Sequence, residues 1–149
     1  MTAGFCFVKI KPTRLVGYET IMKISKKAQY GLTAMVHLAG SKKNKKAISI
    51  RQISNIEGVP FEFLSKIFSS LEKGKLVTAR HGANGGYSLA KSPDKIAIVN
   101  IIKLLEDINT VNCSRCIRSK KCLAKNVWNK IDRAVNKTLE SITLKSLIA

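Results

Sequence analysis

Two short helices and the turn between them are written into Ser49-Ile50-Arg51-Gln52-Ile53-Ser54-Asn55-Ile56-Glu57-Gly58-Val59-Pro60-Phe61-Glu62-Phe63-Leu64-Ser65-Lys66-Ile67-Phe68-Ser69-Ser70-Leu71-Glu72-Lys73-Gly74. Ser49 and Gln52 form a capping box: the serine hydroxyl can accept from the Gln52 amide while the Gln52 side chain reaches back to the Ser49 amide. A helix is predicted from there to about Glu57. Gly58-Val59-Pro60 supplies a tight turn. Phe61 to Lys73 is helical again, with Leu64, Ile67, Phe68 and Leu71 on one side and Gly74 as the stop. Helix, glycine-containing turn and helix make the outline of a helix-turn-helix.

Downstream, Leu76 to Ala79 and Tyr87 to Ala90 flank Arg80-His81-Gly82-Ala83-Asn84-Gly85-Gly86. The glycines and the asparagine permit the positive φ angles of a hairpin tip, so a two-stranded wing is expected. Upstream, Ala28, Leu32, Met35 and Ala39 recur at spacings of three and four, with Ser25 able to cap the start of a core helix and Gly40 its end. The lysine-rich run at 41–46 reads as a solvated loop. After Ser92-Pro93-Asp94, the apolar run Ile96 to Leu105 should contain another helix. From about Ala124 a long amphipathic helix carries Val127, Ile131, Ala134, Val135, Thr138 and Ile142 along one stripe. That stripe must pack either on the domain core or, as the length of the stripe favours, against a second copy in a two-fold dimer. The fold class is therefore mainly α with a small β wing: a winged helix-turn-helix at 22–91, and a cysteine loop with a dimerisation helix of the same domain at 92–149.

The chain has 149 residues, and its 27 Lys+Arg against 9 Asp+Glu give a net charge of +18. With 45% hydrophobic residues it can bury an ordinary core, so the charge points to polyanionic partners rather than to disorder. The longest run without Asp, Glu, Lys or Arg, 28–41, is too short to cross a bilayer, which excludes a membrane span. Residues 1–21 hold a brief apolar patch at Phe5-Cys6-Phe7-Val8 but no export signal, and Met22 is followed at once by well-patterned sequence. An N-terminal extension or an early-assigned start, and a cytoplasmic location, are expected. No GxSxG, Walker loop or HExxH occurs, and the cysteines have no evident general base, so neither an enzyme nor a small-molecule substrate is expected.

In a helix-turn-helix the second helix enters the major groove. Its exposed candidates are Glu62, able to accept from a cytosine amino group, Ser65 and Ser69, able to donate or accept, and Lys66, able to reach guanine or phosphate. Arg51, at the start of the first helix of the pair, joins this DNA-binding set. The wing adds Arg80, His81 and Asn84, suited to the minor groove or the backbone. His37 reads as a surface or half-buried histidine and Trp128 as packing. The second constellation is Cys113, Cys116 and Cys122, three thiols within ten residues. Only one C-x2-C knuckle is present, whereas a zinc ribbon uses two. An iron-sulfur cluster, either 2Fe-2S or 4Fe-4S, suits three loop thiolates best, with zinc or bare redox-reactive thiols as the alternatives. Arg115, Arg118, Lys120, Lys121 and Lys125 favour the thiolate forms.

With these parts in place, residues 22–149 resemble the Rrf-two family of bacterial winged-helix transcription regulators, which includes iron-sulfur regulators. The likeness rests on 22–30, on Phe63-Leu64 with Ile67 and Leu71, on Leu76-Val77, on Gly82 with Gly85-Gly86-Tyr87, on Cys122-Leu123 with Trp128, and on Ser141-Ile142-Thr143-Leu144 with Leu147. It implies a homodimer formed through the last helix, double-stranded DNA with a partly palindromic operator as the partner, and a cluster on Cys113, Cys116 and Cys122; a repressor is the expected role of the chain. Some members lack a cluster and answer to a protein partner instead. Several positions depart from the family pattern. The first two cysteines stand closer together than in the better-known cluster regulators. Lys125 and Gln29 occupy positions where other members place a histidine or a carboxylate ligand. His81 replaces the usual wing arginine, with Arg80 one place earlier, and Ser65 replaces an operator-discriminating glutamate.

Overall fold

A computed structural model of the chain describes residues 24–41, 47–82, 85–107, 116–117 and 120–148. The expected extension at 1–21 lies outside them. Helix α1, Lys26–Ser41, starts as predicted, with the Ser25 hydroxyl accepting from the Ala28 amide at 3.2 Å. Its buried face carries Ala28, Ala34, Met35, Leu38 and Ala39, while Leu32 from the predicted stripe is only half-buried. Gly40 does not end it: the helix continues to Ser41, whose hydroxyl donates to the Leu38 carbonyl.

Helix α2, Ile50–Glu57, has both arms of the capping box, Gln52 N to Ser49 Oγ at 3.2 Å and Ser49 N to Gln52 Oε1 at 2.9 Å. It ends at Gly58, which takes the left-handed conformation (φ 62°, ψ 28°) that a side chain would resist. The Ser54 hydroxyl then donates to the Val59 carbonyl at 2.6 Å and sets the turn. Helix α3, Phe61–Lys73, buries Leu64, Ile67, Phe68 and Leu71, the four positions its period predicts. Gly74 ends it, as predicted, without taking a left-handed backbone. Its φ is −76°, and the positive φ falls on Lys75 at 56°; a Cβ on Gly74 would run into the Leu104 side chain.

The wing is an antiparallel pair, β1 (Val77–Arg80) and β2 (Gly86–Leu89), with Val77 opposite Leu89 and Arg80 opposite Gly86. Each strand is displaced by one residue toward the tip from its predicted limits, although Ala90 N still donates to Leu76 O. A further strand-like contact was not predicted. Ile48 exchanges two backbone hydrogen bonds with Tyr87, at 3.0 and 2.8 Å, so the residue just before the Ser49 cap is tied to the wing. Gly86 makes this approach possible, since a Cβ there would come within 2.5 Å of the Ile48 carbonyl oxygen.

After a 3-10 turn at Pro93–Lys95, helix α4 (Ile98–Leu105) presents Ile98, Ile101, Ile102 and Leu105 to the core shared with α1 and α3. Helix α5, Lys125–Ser141, contributes no fully buried residue. Leu139 and Ile142 at its end pack on the core, while Val127, Trp128 and Ile131 remain 55%, 37% and 37% exposed. The chain then returns along α4: Ile98 N donates to Ile142 O, Leu144 N donates to Ile96 O, and Leu144 is buried. Thus the two destinations expected for the α5 stripe divide along its length. The C-terminal part meets the core and the N-terminal part does not.

Two substitutions test this backbone reading. Gly86→Ala should cost roughly 2–3 kcal/mol by forcing Ile48 away from β2. Lys75→Gly should gain about 0.5–1 kcal/mol by relieving its left-handed backbone. Urea denaturation of each variant measures both.

Candidate nucleic-acid interface

The buried stripe of α3 leaves its opposite side facing outward. Glu62, Lys66 and Ser69 are exposed and Ser65 is half-buried, so the predicted residues lie at helical spacings on one accessible face. Arg51, in the first turn of α2, is also exposed, and its guanidinium carbon sits 6.0 Å from the centre of the Phe61 ring. Arg80 and His81, at the end of β1, are exposed as well. The wing tip turns at Gly82 (φ 108°), with Gly85 N donating to Gly82 O at 2.9 Å. Asn84 lies outside the described residues.

What steadies this surface is packing behind it. The Phe68 and Tyr87 rings, 4.7 Å apart, join α3 to β2, and the Tyr30 and Phe63 rings, 6.0 Å apart and edge to face, join α3 to α1. Burial pushes the Tyr87 phenol above its ordinary value of 10.0, with the Glu72 carboxylate adding to the effect, so Tyr87 stays neutral in its packing role. His37 proves to be a half-buried structural residue: its Nε2 lies 2.6 Å from Glu57 Oε1, linking α1 to the end of α2.

Phe61 is a candidate site residue that periodicity conceals. Its spacing to Leu64 and Phe68 places it with the core residues, yet the first turn of α3 projects beyond the core and leaves it 42% exposed. A proline cap followed at once by an aromatic residue is the available signal, and it is a weak one.

Of the three clustered cysteines, Cys116 and Cys122 lie among the described residues, both as free, half-buried thiols, and Cys113 lies outside them. The Cys122 carbonyl accepts from the Lys125 amide at 3.3 Å, so this cysteine is part of the turn that starts α5. That start has Ala124 as its cap residue and no side-chain acceptor. Among the described residues no group of three or more His, Cys, Asp or Glu converges as a metal site. Soft thiol donors beside exposed Lys120, Lys121 and Lys125 nonetheless have the chemistry an iron-sulfur cluster requires. Gln29 supplies an amide, not a carboxylate, and that amide donates to the Ile24 carbonyl at 2.9 Å.

A capped helix pair, an accessible second helix and a flanking two-stranded wing together define a winged helix-turn-helix DNA-binding protein. The Rrf2 family, described as iron-dependent transcriptional regulators, matches residues 24–149, and the chain belongs to that family. It is 29% identical to the transcriptional regulator IscR of Sodalis glossinidius, over 86% of this chain and 79% of the other. Among solved structures, CymR, the global cysteine regulator of B. subtilis, superimposes with a TM-score of 0.76 at 32% identity, covering 86% of this chain and 97% of that one. The T. potens IscR gives 0.72 at 32% identity, covering 85% of each chain. The chain is accordingly a DNA-binding transcriptional regulator and not an enzyme. No helix among the described residues is long and apolar enough to cross a membrane.

Cations at this surface act largely through phosphate neutralisation. Arg80→Ala should weaken binding about equally on all duplexes and make the slope of log K against log salt shallower by about one. A salt titration followed by fluorescence anisotropy reads that slope.

Proposed function

We propose that the protein is a cytoplasmic homodimeric repressor that binds a partly palindromic operator, with its DNA affinity governed by an iron-sulfur cluster on Cys113, Cys116 and Cys122. The observation that carries this reading is the placement of Cys122 in the turn that leads into α5, a few residues before the uncovered apolar segment Val127, Trp128 and Ile131. The family description and the IscR relatives support the same reading.

Glu62, Ser65, Lys66 and Ser69 face base edges in the major groove, Arg51 the adjoining backbone, and Arg80, His81 and Asn84 the minor groove or the phosphates that border it. Val127, Trp128 and Ile131 meet the same residues of a second copy across a two-fold axis, which sets the two reading heads about one helical turn apart. The three cysteines hold the cluster, which supplies an iron- and redox-responsive centre of the 2Fe-2S or 4Fe-4S type. Ordering of Cys122 fixes the Lys125 amide and thereby the first turn of α5, where the dimer seam begins. Such coupling requires the two states of this segment to differ in DNA affinity.

A second reading has its own support. Cys116 and Cys122 are free, half-buried thiols, and the CymR neighbour is described as a cysteine regulator and not an iron regulator; a thiol switch, a zinc site or control by a protein partner is then the alternative. Anaerobic purification with iron, sulfide and zinc counts separates the readings: iron with matching sulfide supports the cluster, whereas zinc or no metal moves the cysteines to the second reading. Replacing all three cysteines by serine should then change operator affinity, and unchanged affinity under both anaerobic and oxidised conditions would sink the sensing role. For the dimer, Ile131→Glu should shift the chain to monomer in analytical ultracentrifugation and weaken operator binding more than ten-fold, about 1.4 kcal/mol. Binding must be compared between operator and random duplex, because a chain of this charge binds any DNA at low salt.

A further inference from the structure

Phe61 opens α3 with 42% of its surface uncovered, whereas Leu64, Phe68 and Leu71 further along the same helix are buried. It stands at the end of α3 that a helix-turn-helix directs at base edges. From α2 the Arg51 guanidinium lies 6.0 Å from the ring centre, at the limit of cation-π contact. Arg51 thus flanks the ring without covering it. Glu62 is the next residue, exposed and negative, and its charge is repelled by phosphates, so this end of α3 has reason to favour bases over the sugar-phosphate chain.

A phenyl ring has no hydrogen-bonding atom. In the major groove the apolar feature that distinguishes one base from the others is the C5-methyl group of thymine. Insertion of the ring between stacked bases is the alternative use of an exposed aromatic, but that belongs to wedges acting from the minor groove. We propose that Phe61 is a specificity-determining residue that packs its free edge against a thymine methyl group, while Arg51, held over the ring, meets the phosphate alongside. The proposal rests on the reading that α3 enters the major groove. It assigns base discrimination to a residue outside the polar set Glu62, Ser65, Lys66 and Ser69.

The test uses the full chain and the duplex it selects from a randomised library. Each thymine of that duplex is replaced in turn by uracil, which removes the methyl group and nothing else. One thymine in each half-site should show about a four-fold loss of wild-type affinity, the value of one buried methyl-sized group. The same replacement should leave the affinity of Phe61→Ala unchanged, and Phe61→Leu, which keeps an apolar side chain, should retain part of the discrimination. Arg51→Ala should weaken binding to every duplex alike. If each uracil replacement affects wild type and Phe61→Ala equally, the assignment is overturned. If no sequence is enriched from the library, the groove reading itself fails before the uracil series begins, so the two failures are distinguishable.

Discussion

The rotational setting of α3 is the constraint on which the other elements depend. Leu64, Ile67, Phe68 and Leu71 are all almost wholly buried, and they lie along one side of the helix. Turning α3 about its axis would drag Glu62 or Lys66 toward an interior in which, among the described residues, no polar or charged side chain is buried. Desolvating an unpaired charge there costs several kcal/mol, so the outward face is set by what the inward face cannot accept. From that setting the Phe68 contact positions Tyr87, Tyr87 pairs with Ile48, and Ile48 leads into the cap of α2. Reading helix, wing and supporting helix thus share one packing reference.

Features that depend on neighbours in sequence were legible from it, and features that depend on neighbours in space were not. The capping box at Ser49, the left-handed Gly58 and the α3 stripe are local patterns with local causes. The Ile48 pairing is a contact with a residue far along the chain, and a single isoleucine after a lysine loop carries no periodicity to announce it. Gly74 is the helix stop that the sequence predicts, but the Leu104 side chain beside it and the left-handed backbone of the next residue, Lys75, are not announced there. Gly40 stands one residue short of the end of α1 at Ser41. At the candidate site the charged and hydroxyl-bearing residues were legible from helix geometry, whereas Phe61 was not, because exposure at a helix end depends on where the core stops.

Helix α5 serves two environments. Leu139 and Ile142 belong to the core of their own chain, reinforced by the return of Leu144 along α4 and by the Lys103–Glu140 contact at 4.0 Å. The exposed ion pair contributes little by itself, so the apolar contacts fix this end. The opposite end presents Val127, Trp128 and Ile131 without cover.

The stretch bearing the cysteines is tethered on both sides. At its entry, the Glu106 carboxylate accepts from the Ser25 amide at 2.8 Å, pinning the end of α4 to the beginning of α1. At its exit, the Cys122 carbonyl holds the Lys125 amide. One border of the span is thus anchored on the packed body through α1 and α4, and the other on the first residues of α5 alone.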